Sequence, residues 1–223
     1  MIDLNTWNLS IPVGEPAVTI STPLLANGYQ DDYFKADNGA IFFWAPVNGS
    51  TTKSAKYPRS ELRETFADGK LRNWKYNAAD NYLNATLKVT QVPSVGKIVI
   101  GQVHNSDGDN PPLKLSYQYK SGTGSIVAII RLKPTDTTTS VSILKGVALN
   151  QSFSYGIRVS KSGAMSVSVQ PAGKAATVWN AQLDSAWAPS PLYFKAGSYV
   201  QDNEGDNTEA GAVTFTALQI KHI

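Results

Sequence analysis

The chain has no cysteine and only two histidines in 223 residues. The first absence excludes disulfide scaffolds, iron–sulfur clusters, thiolate zinc sites and thiol nucleophiles, and it removes any redox clue to compartment. The second leaves too few imidazoles for a histidine-rich metal centre, so no metal and no cofactor is expected. No apolar run approaches the ~20 residues a membrane helix needs, and no membrane association is expected. The opening Met1-Ile2-Asp3-Leu4-Asn5 lacks the basic and apolar segments of an export signal. The compartment stays unknown: cytoplasmic as the chain reads, periplasmic or secreted if a signal has been removed. Charge of one sign is also scarce. Twenty Lys+Arg against 17 Asp+Glu leave a formal +3, which is no nucleic-acid footprint but suits an anionic ligand if the cations cluster. Helical periodicity is almost missing.

What the chain has is period-two alternation between turn signals, the mark of a mostly antiparallel all-β protein. Leu83, Ala85, Leu87 and Val89 fall on one face while Asn84, Thr86 and Lys88 fall on the other. Segments 113–119, 153–159 and 164–169 repeat the pattern, and 7–11, 40–44, 59–66, 97–104, 125–133, 192–201 and 212–221 are further strands. Ten or more strands must stack as two sheets or close on themselves. A hydrophobic fraction of 42% supports one sizeable core, and residues 1–223 are expected to form a single domain. One short helix is expected within 175–186, on a Trp179 and Leu183 pair at helical spacing.

Three strands carry chemistry. In Arg59-Ser60-Glu61-Leu62-Arg63-Glu64, alternation puts Arg59, Glu61 and Arg63 on one face, with the arginines ~13 Å apart at ~3.3 Å per residue. Such a pair could clamp successive acidic groups of a polymer, Glu61 orienting the guanidinium forks, or could belong to a salt-bridged outer strand. In Lys97 to His104 both faces are apolar at first, so the strand reads as central. Read straight through, its alternation places Gln102 and His104 on the face of Ile98 and Ile100, either emerging into a cleft or buried with partners. In the third strand Tyr193, Lys195, Tyr199 and Gln201 share a face that is polar for a dry core, and Gly197 leaves room for another chain or a sugar ring. Together they offer Arg, Gln, His, Tyr and Lys, an inventory for charge neutralisation and proton transfer at an anionic substrate. His222, one residue from the C-terminus, reads as exposed and inert.

The motifs Arg59-Ser60-Glu61-Leu62-Arg63-Glu64, Gln102-Val103-His104 and Tyr193-Phe194-Lys195-Ala196-Gly197-Ser198-Tyr199-Val200-Gln201 resemble, in order and spacing, the three signatures of alginate lyases of polysaccharide lyase family seven. The opening Asp3 to Pro12 also resembles the family's start, so the likeness spans the chain. It implies a β-jelly roll sandwich of two antiparallel sheets with a concave substrate groove, and β-elimination of alginate or another polyuronate, with endo action expected of a monomer. It further implies that Arg59 and Gln102 hold the substrate carboxylate with His104 assisting. Tyr199 would abstract the C5 proton, donate to the departing O4, or do both for mannuronate; for guluronate the resemblance favours His104 as base. Glu61, Arg63, Tyr193, Lys195 and Gln201 would line neighbouring subsites or brace the catalytic groups. Val103 is the variant of the middle motif that accompanies mannuronate preference.

Rival readings find less support. A glycoside hydrolase needs two carboxyl groups flanking the bond, whereas Glu61 and Glu64 have opposite parity. No serine lies in a nucleophile-elbow pattern. The acidic loops 105–110 and 202–209 lack the EF-hand register and read as solvated. A non-catalytic carbohydrate-binding module would use the same concave sheet, but has no need of Gln102, His104 and Tyr199 together.

Overall fold

The computed structural model describes residues 2–223. In chain order the strands are β1 (Trp7–Ser10), β2 (Thr19–Ile20), β3 (Phe34–Asp37), β4 (Ala40–Pro46), β5 (Arg59–Glu64), β6 (Asn81–Gln91), β7 (Lys97–Asn105) and β8 (Leu113–Lys120). They continue as β9 (Thr123–Ile130), β10 (Thr139–Lys145), β11 (Phe153–Val159), β12 (Ala164–Pro171), β13 (Thr177–Gln182), β14 (Leu192–Val200) and β15 (Ala210–His222). One sheet has the order β10-β9-β8-β7-β14-β5-β1-β2 and the other β13-β12-β11-β6-β15-β4-β3. Every pairing is antiparallel, as the alternation requires, and the all-β sandwich expected from the sequence is the fold observed.

The two sheets share one core. Leu83, Ala85, Leu87 and Val89 of β6 are all buried, facing residues such as Leu62, Phe194 and Leu115 from the other sheet. Phe43 meets Phe34 and Phe215 edge-on, with ring centroids 5.3 and 5.5 Å apart, and burying a ring of this kind contributes roughly 1.5–3 kcal/mol. Polar bonds cross the core as well. Tyr155 of β11 donates its hydroxyl to the Ile100 carbonyl at 3.0 Å, and Ser198 of β14 donates to Gly211 at 2.9 Å.

Three sequence expectations change. The 175–186 segment forms the edge strand β13 and a 3₁₀ turn at Ser185–Trp187. β-branched Thr177 and Val178 suit an edge strand, while Leu183 and Trp187 bury beyond its end. In β7 the register shifts between Val99 and Gly101. This bulge resets the alternation: Ile98, Ile100 and Val103 belong to the core, whereas Gln102 and His104 turn to the outer face. Gly101 now points inward, where a Cβ would lie 2.6 Å from the Tyr155 hydroxyl. Gly197, at φ +152°, admits a neighbouring strand and not a sugar: a Cβ there would lie 2.6 Å from the Ser60 carbonyl and 2.7 Å from Glu61 Cα.

Candidate active site

Strands β5, β14 and β7 are adjacent, so the three motifs form one surface. The rungs match Tyr199 with Arg59, Gly197 with Glu61 and Lys195 with Arg63 on one side, and Lys195 with Gln102 and Tyr193 with His104 on the other. Their outward residues line a cleft of about 690 Å³ on the eight-stranded sheet. Eight of the nine residues singled out from the sequence line it: Arg59, Arg63, Gln102, His104, Tyr193, Lys195, Tyr199 and Gln201.

Glu61 is the ninth, and it lies beneath the floor, fully buried. Its Oε2 pairs with Lys195 Nζ at 2.6 Å and Arg59 Nη1 at 3.1 Å, and its Oε1 accepts from the Gln102 amide. Burial opposes ionisation of this carboxyl, but Lys195 and Arg59 outweigh it and hold the pKa below the usual range. Glu61 thus braces three cleft residues and pairs with Lys195 where the sequence suggested Arg63. Arg63 instead donates to the Glu64 carbonyl, to Asn73 Oδ1 at 2.6 Å and to the Arg72 carbonyl, and stacks on Tyr193 with Cζ 4.0 Å from the ring centroid.

The proton-transfer candidates have distinct settings. His104 Nδ1 lies 2.9 Å from the Asn105 carbonyl; a carbonyl only accepts, so Nδ1 carries the proton and Nε2 keeps its lone pair. The ring stacks on Tyr193 at 5.2 Å. Burial, reinforced by Lys195, lowers its pKa to about 4, so the imidazole is neutral at pH 7. Tyr199 lies under the Arg59 guanidinium, Cζ 3.7 Å from its ring centroid. Burial raises the phenol pKa while Arg59 pulls it down. Burial, with Arg59 adding to it, brings the Lys195 ammonium down to about 8 against the opposing pull of Glu61. Arg59 Nε and Gln102 Oε1 are buried without a hydrogen-bond partner.

Sequence reasoning missed Lys114, the rung partner of Gln102 on β8, which lines the same cleft with Nζ 5.7 Å from the Tyr199 ring centroid. The alternation of 113–119 already put it on the outer face. Lys56 adds a further cation, and Ser54 donates to Asp109 at 2.9 Å between two cleft-lining loops. The cleft is therefore rich in cations over one buried carboxylate. His222 departs furthest from expectation: its side chain is 8% exposed and hydrogen bonded to Asn81 and Glu64, because β15 runs on to the chain's end and pairs His222 with Asn81. Among the described residues no cluster of three or more His, Cys, Asp or Glu side chains is placed to hold a metal ion.

The family model described as alginate lyase matches residues 2–222. The chain belongs to the alginate lyase family. It is similar to an alginate lyase of Klebsiella pneumoniae, 29% identical, over 99% of this chain and 89% of the relative. Among solved structures it resembles an alginate lyase of Pseudomonas aeruginosa, with 45% identity, a TM-score of 0.92, and coverage of 99% of this chain and 100% of the other. Alginate lyase A1-II′, a member of polysaccharide lyase family 7, is 30% identical with a TM-score of 0.83, over 99% and 96% of the two chains. The alginate lyase family assigned from the three motifs is therefore the family found, and the chain is a polysaccharide lyase.

Proposed function

We propose that this chain depolymerises alginate by β-elimination in the cleft of the eight-stranded sheet, as a monomer acting on internal bonds, with residues 1–223 forming one catalytic domain. The observation that carries the reading is the convergence of Arg59, Gln102, His104 and Tyr199 from three adjacent strands on one cation-rich cleft. Alginate lyase A1-II′ has been solved with a product (GGG) and with a substrate (GGMG), which supports an alginate oligosaccharide as occupant here.

The C5 proton of a uronate is far too weak an acid while the carboxylate beside it is ionised. Arg59 and the Gln102 amide neutralise that carboxylate and stabilise the enolate-like transition state as charge moves onto it. Glu61 holds both groups from below, so they need no reorganisation when the charge develops. On mannuronate, where both atoms lie on one side, the Tyr199 oxygen takes the C5 proton as its own hydroxyl proton passes to the departing O4. His104, neutral with Nε2 unprotonated, is the base for guluronate, and the Tyr199 hydroxyl gives its proton to the departing O4. The C5–H and C4–O4 bonds break, a C4–C5 double bond forms in conjugation with the carboxylate, and no water is consumed. Arg63, Tyr193, Lys195 and Gln201 line the neighbouring subsites. Val103 is buried in the core, so any influence it has on block preference is transmitted through packing and not by contact with the sugar.

Digestion of mannuronate, guluronate and alternating blocks tests the reading, with ultraviolet absorbance of the unsaturated product and product sizes followed over time. Absorbance growth with early mid-sized oligomers is expected. Saccharide release without unsaturation would overturn β-elimination, and release of single end units alone would overturn internal cleavage.

A further inference from the structure

The ladder between β5 and β14 ends at the rung of Arg63 with Lys195. Further along, β14 is held by Trp74, whose backbone exchanges two hydrogen bonds with Leu192, each 2.7 Å. Phe194 lies between these attachments, and its N–H is accepted by Glu64 Oε2 at 3.1 Å. The same oxygen accepts the Trp74 indole N–H at 2.9 Å. A side-chain carboxylate thus supplies the missing rung at the point where Tyr193 and Lys195 enter the cleft.

Glu64 is fully buried between the sheets, where an ionised carboxylate is tolerated only with donors and a cation. A second partner comes from the opposite sheet. His222 Nε2 lies 2.6 Å from Glu64 Oε1, and Nδ1 lies 2.6 Å from Asn81 Oδ1. The Asn81 amide nitrogen is committed to the Ala79 and Val159 carbonyls at 2.7 and 3.2 Å, which fixes its oxygen toward the ring. Nδ1 faces an acceptor and so carries a proton, while Nε2 and the Glu64 carboxyl share a hydrogen bond. Trp74 and Phe194 cover the ring at 5.7 and 6.0 Å between centroids. Arg72, from the segment after β5, also faces the carboxylate, with Nε 3.5 Å away and a side chain 31% exposed. Asp80 is committed to Arg158 and the Lys161 N–H.

We propose that the His222–Glu64 hydrogen bond is the positioning device for the Tyr193 end of the cleft. The imidazole from the last strand holds the Glu64 carboxyl, that carboxyl holds the start of β14, and the Arg63–Tyr193–His104 stack is thereby set against the polymer. This inference rests on the reading of the cleft as the alginate site. Tyr199 and Arg59 are anchored at the far end of β14 by ordinary backbone rungs, so on mannuronate blocks the pair governs affinity and leaves proton transfer alone.

Two measurements test it. A ¹H–¹⁵N histidine spectrum of the His104→Gln variant contains the His222 ring alone; a slowly exchanging ring N–H, as the buried hydrogen bonds require, is expected, and ring protons in fast exchange with water would overturn the proposal. No alginate is involved, so this result stands apart from the reading of the cleft. On mannuronate blocks at pH 7, His222→Gln and Glu64→Gln are expected to raise KM roughly tenfold with kcat kept within about twofold. An unchanged KM, or a loss confined to kcat, would overturn it. Where neither variant folds, the spectrum decides.

Discussion

His104 ties catalysis to stability in a way that can be measured without substrate. Burial and the nearby Lys195 hold its pKa at about 4 in the folded chain, against ~6.5 for an unperturbed histidine. At pH 7 the folded ring is neutral and the unfolded ring only about a quarter protonated, so the contribution there is small. Between pH 6.5 and 4 the unfolded chain takes up a proton that the folded chain refuses, so stability falls as the solution is acidified. Two and a half units at 1.36 kcal/mol per unit set a ceiling of about 3.4 kcal/mol; at pH 4, where the folded ring is itself half protonated, about 3 kcal/mol of this has been lost. Solvent reaching the ring edge through the cleft reduces the figure. Replacing the ring with a neutral amide removes the effect, while the other titrating groups remain common to both proteins. Urea melts of the parent and His104→Gln at pH 7 and pH 4 should therefore show the variant gaining about 2–3 kcal/mol relative to the parent on acidification. Parallel pH dependences would refute the low pKa, and with it the argument that His104 waits in the cleft as a neutral base.

Tyr199→Phe keeps the ring under Arg59 and removes only the hydroxyl, so kcat should fall by roughly 10² to 10⁴ with KM little changed; near-normal turnover on every block type would remove the tyrosine from the chemistry. Glu61→Gln leaves Arg59 and Lys195 buried without their anion, which should cost about 3–5 kcal/mol in urea melts, and an unaltered midpoint would show that Glu61 is not their brace. Raising ionic strength should raise KM for alginate, because attraction to the cleft cations is screened over ~10 Å at 0.1 M salt, while a neutral glucan should not be cleaved. Activity should survive a chelator, since Arg59 and Gln102 neutralise the carboxylate; full loss restored by one divalent ion would contradict that assignment.

The sandwich was legible because alternation survives wherever one face is dry, as along β6 and β11. The edge strands β2, β3, β10 and β13 were not, since a strand with one neighbour and a mostly wet surface has little apolar pattern to display. Of the candidate site, the side-chain types and their strands were legible, but two features depended on tertiary contact. The face of Gln102 and His104 followed from a bulge with no marker except Gly101, whose smallness is explained only by Tyr155 arriving from the other sheet. The burial of His222 followed from β15 continuing to the end of the chain, where proximity to a terminus suggested exposure.

The bulge in β7 also bears on any attempt to transplant this chemistry. On its first half the strand is a structural member that keeps isoleucines in the interior, and on its second half it is a tool that shows an amide and an imidazole to the solvent. An unbroken strand can present only one of these phases to a given side. Losing the register shift while keeping every residue, so that the strand alternated straight through from Ile98, would leave composition and hydropathy untouched, yet would swing Gln102 and His104 into the hydrocarbon interior and Val103 out into the cleft. Grafting the segment from Ile98 to His104 onto another sandwich therefore requires carrying the irregularity with it, and an alignment that closes a one-residue gap there would assign every later side chain of the strand to the wrong face.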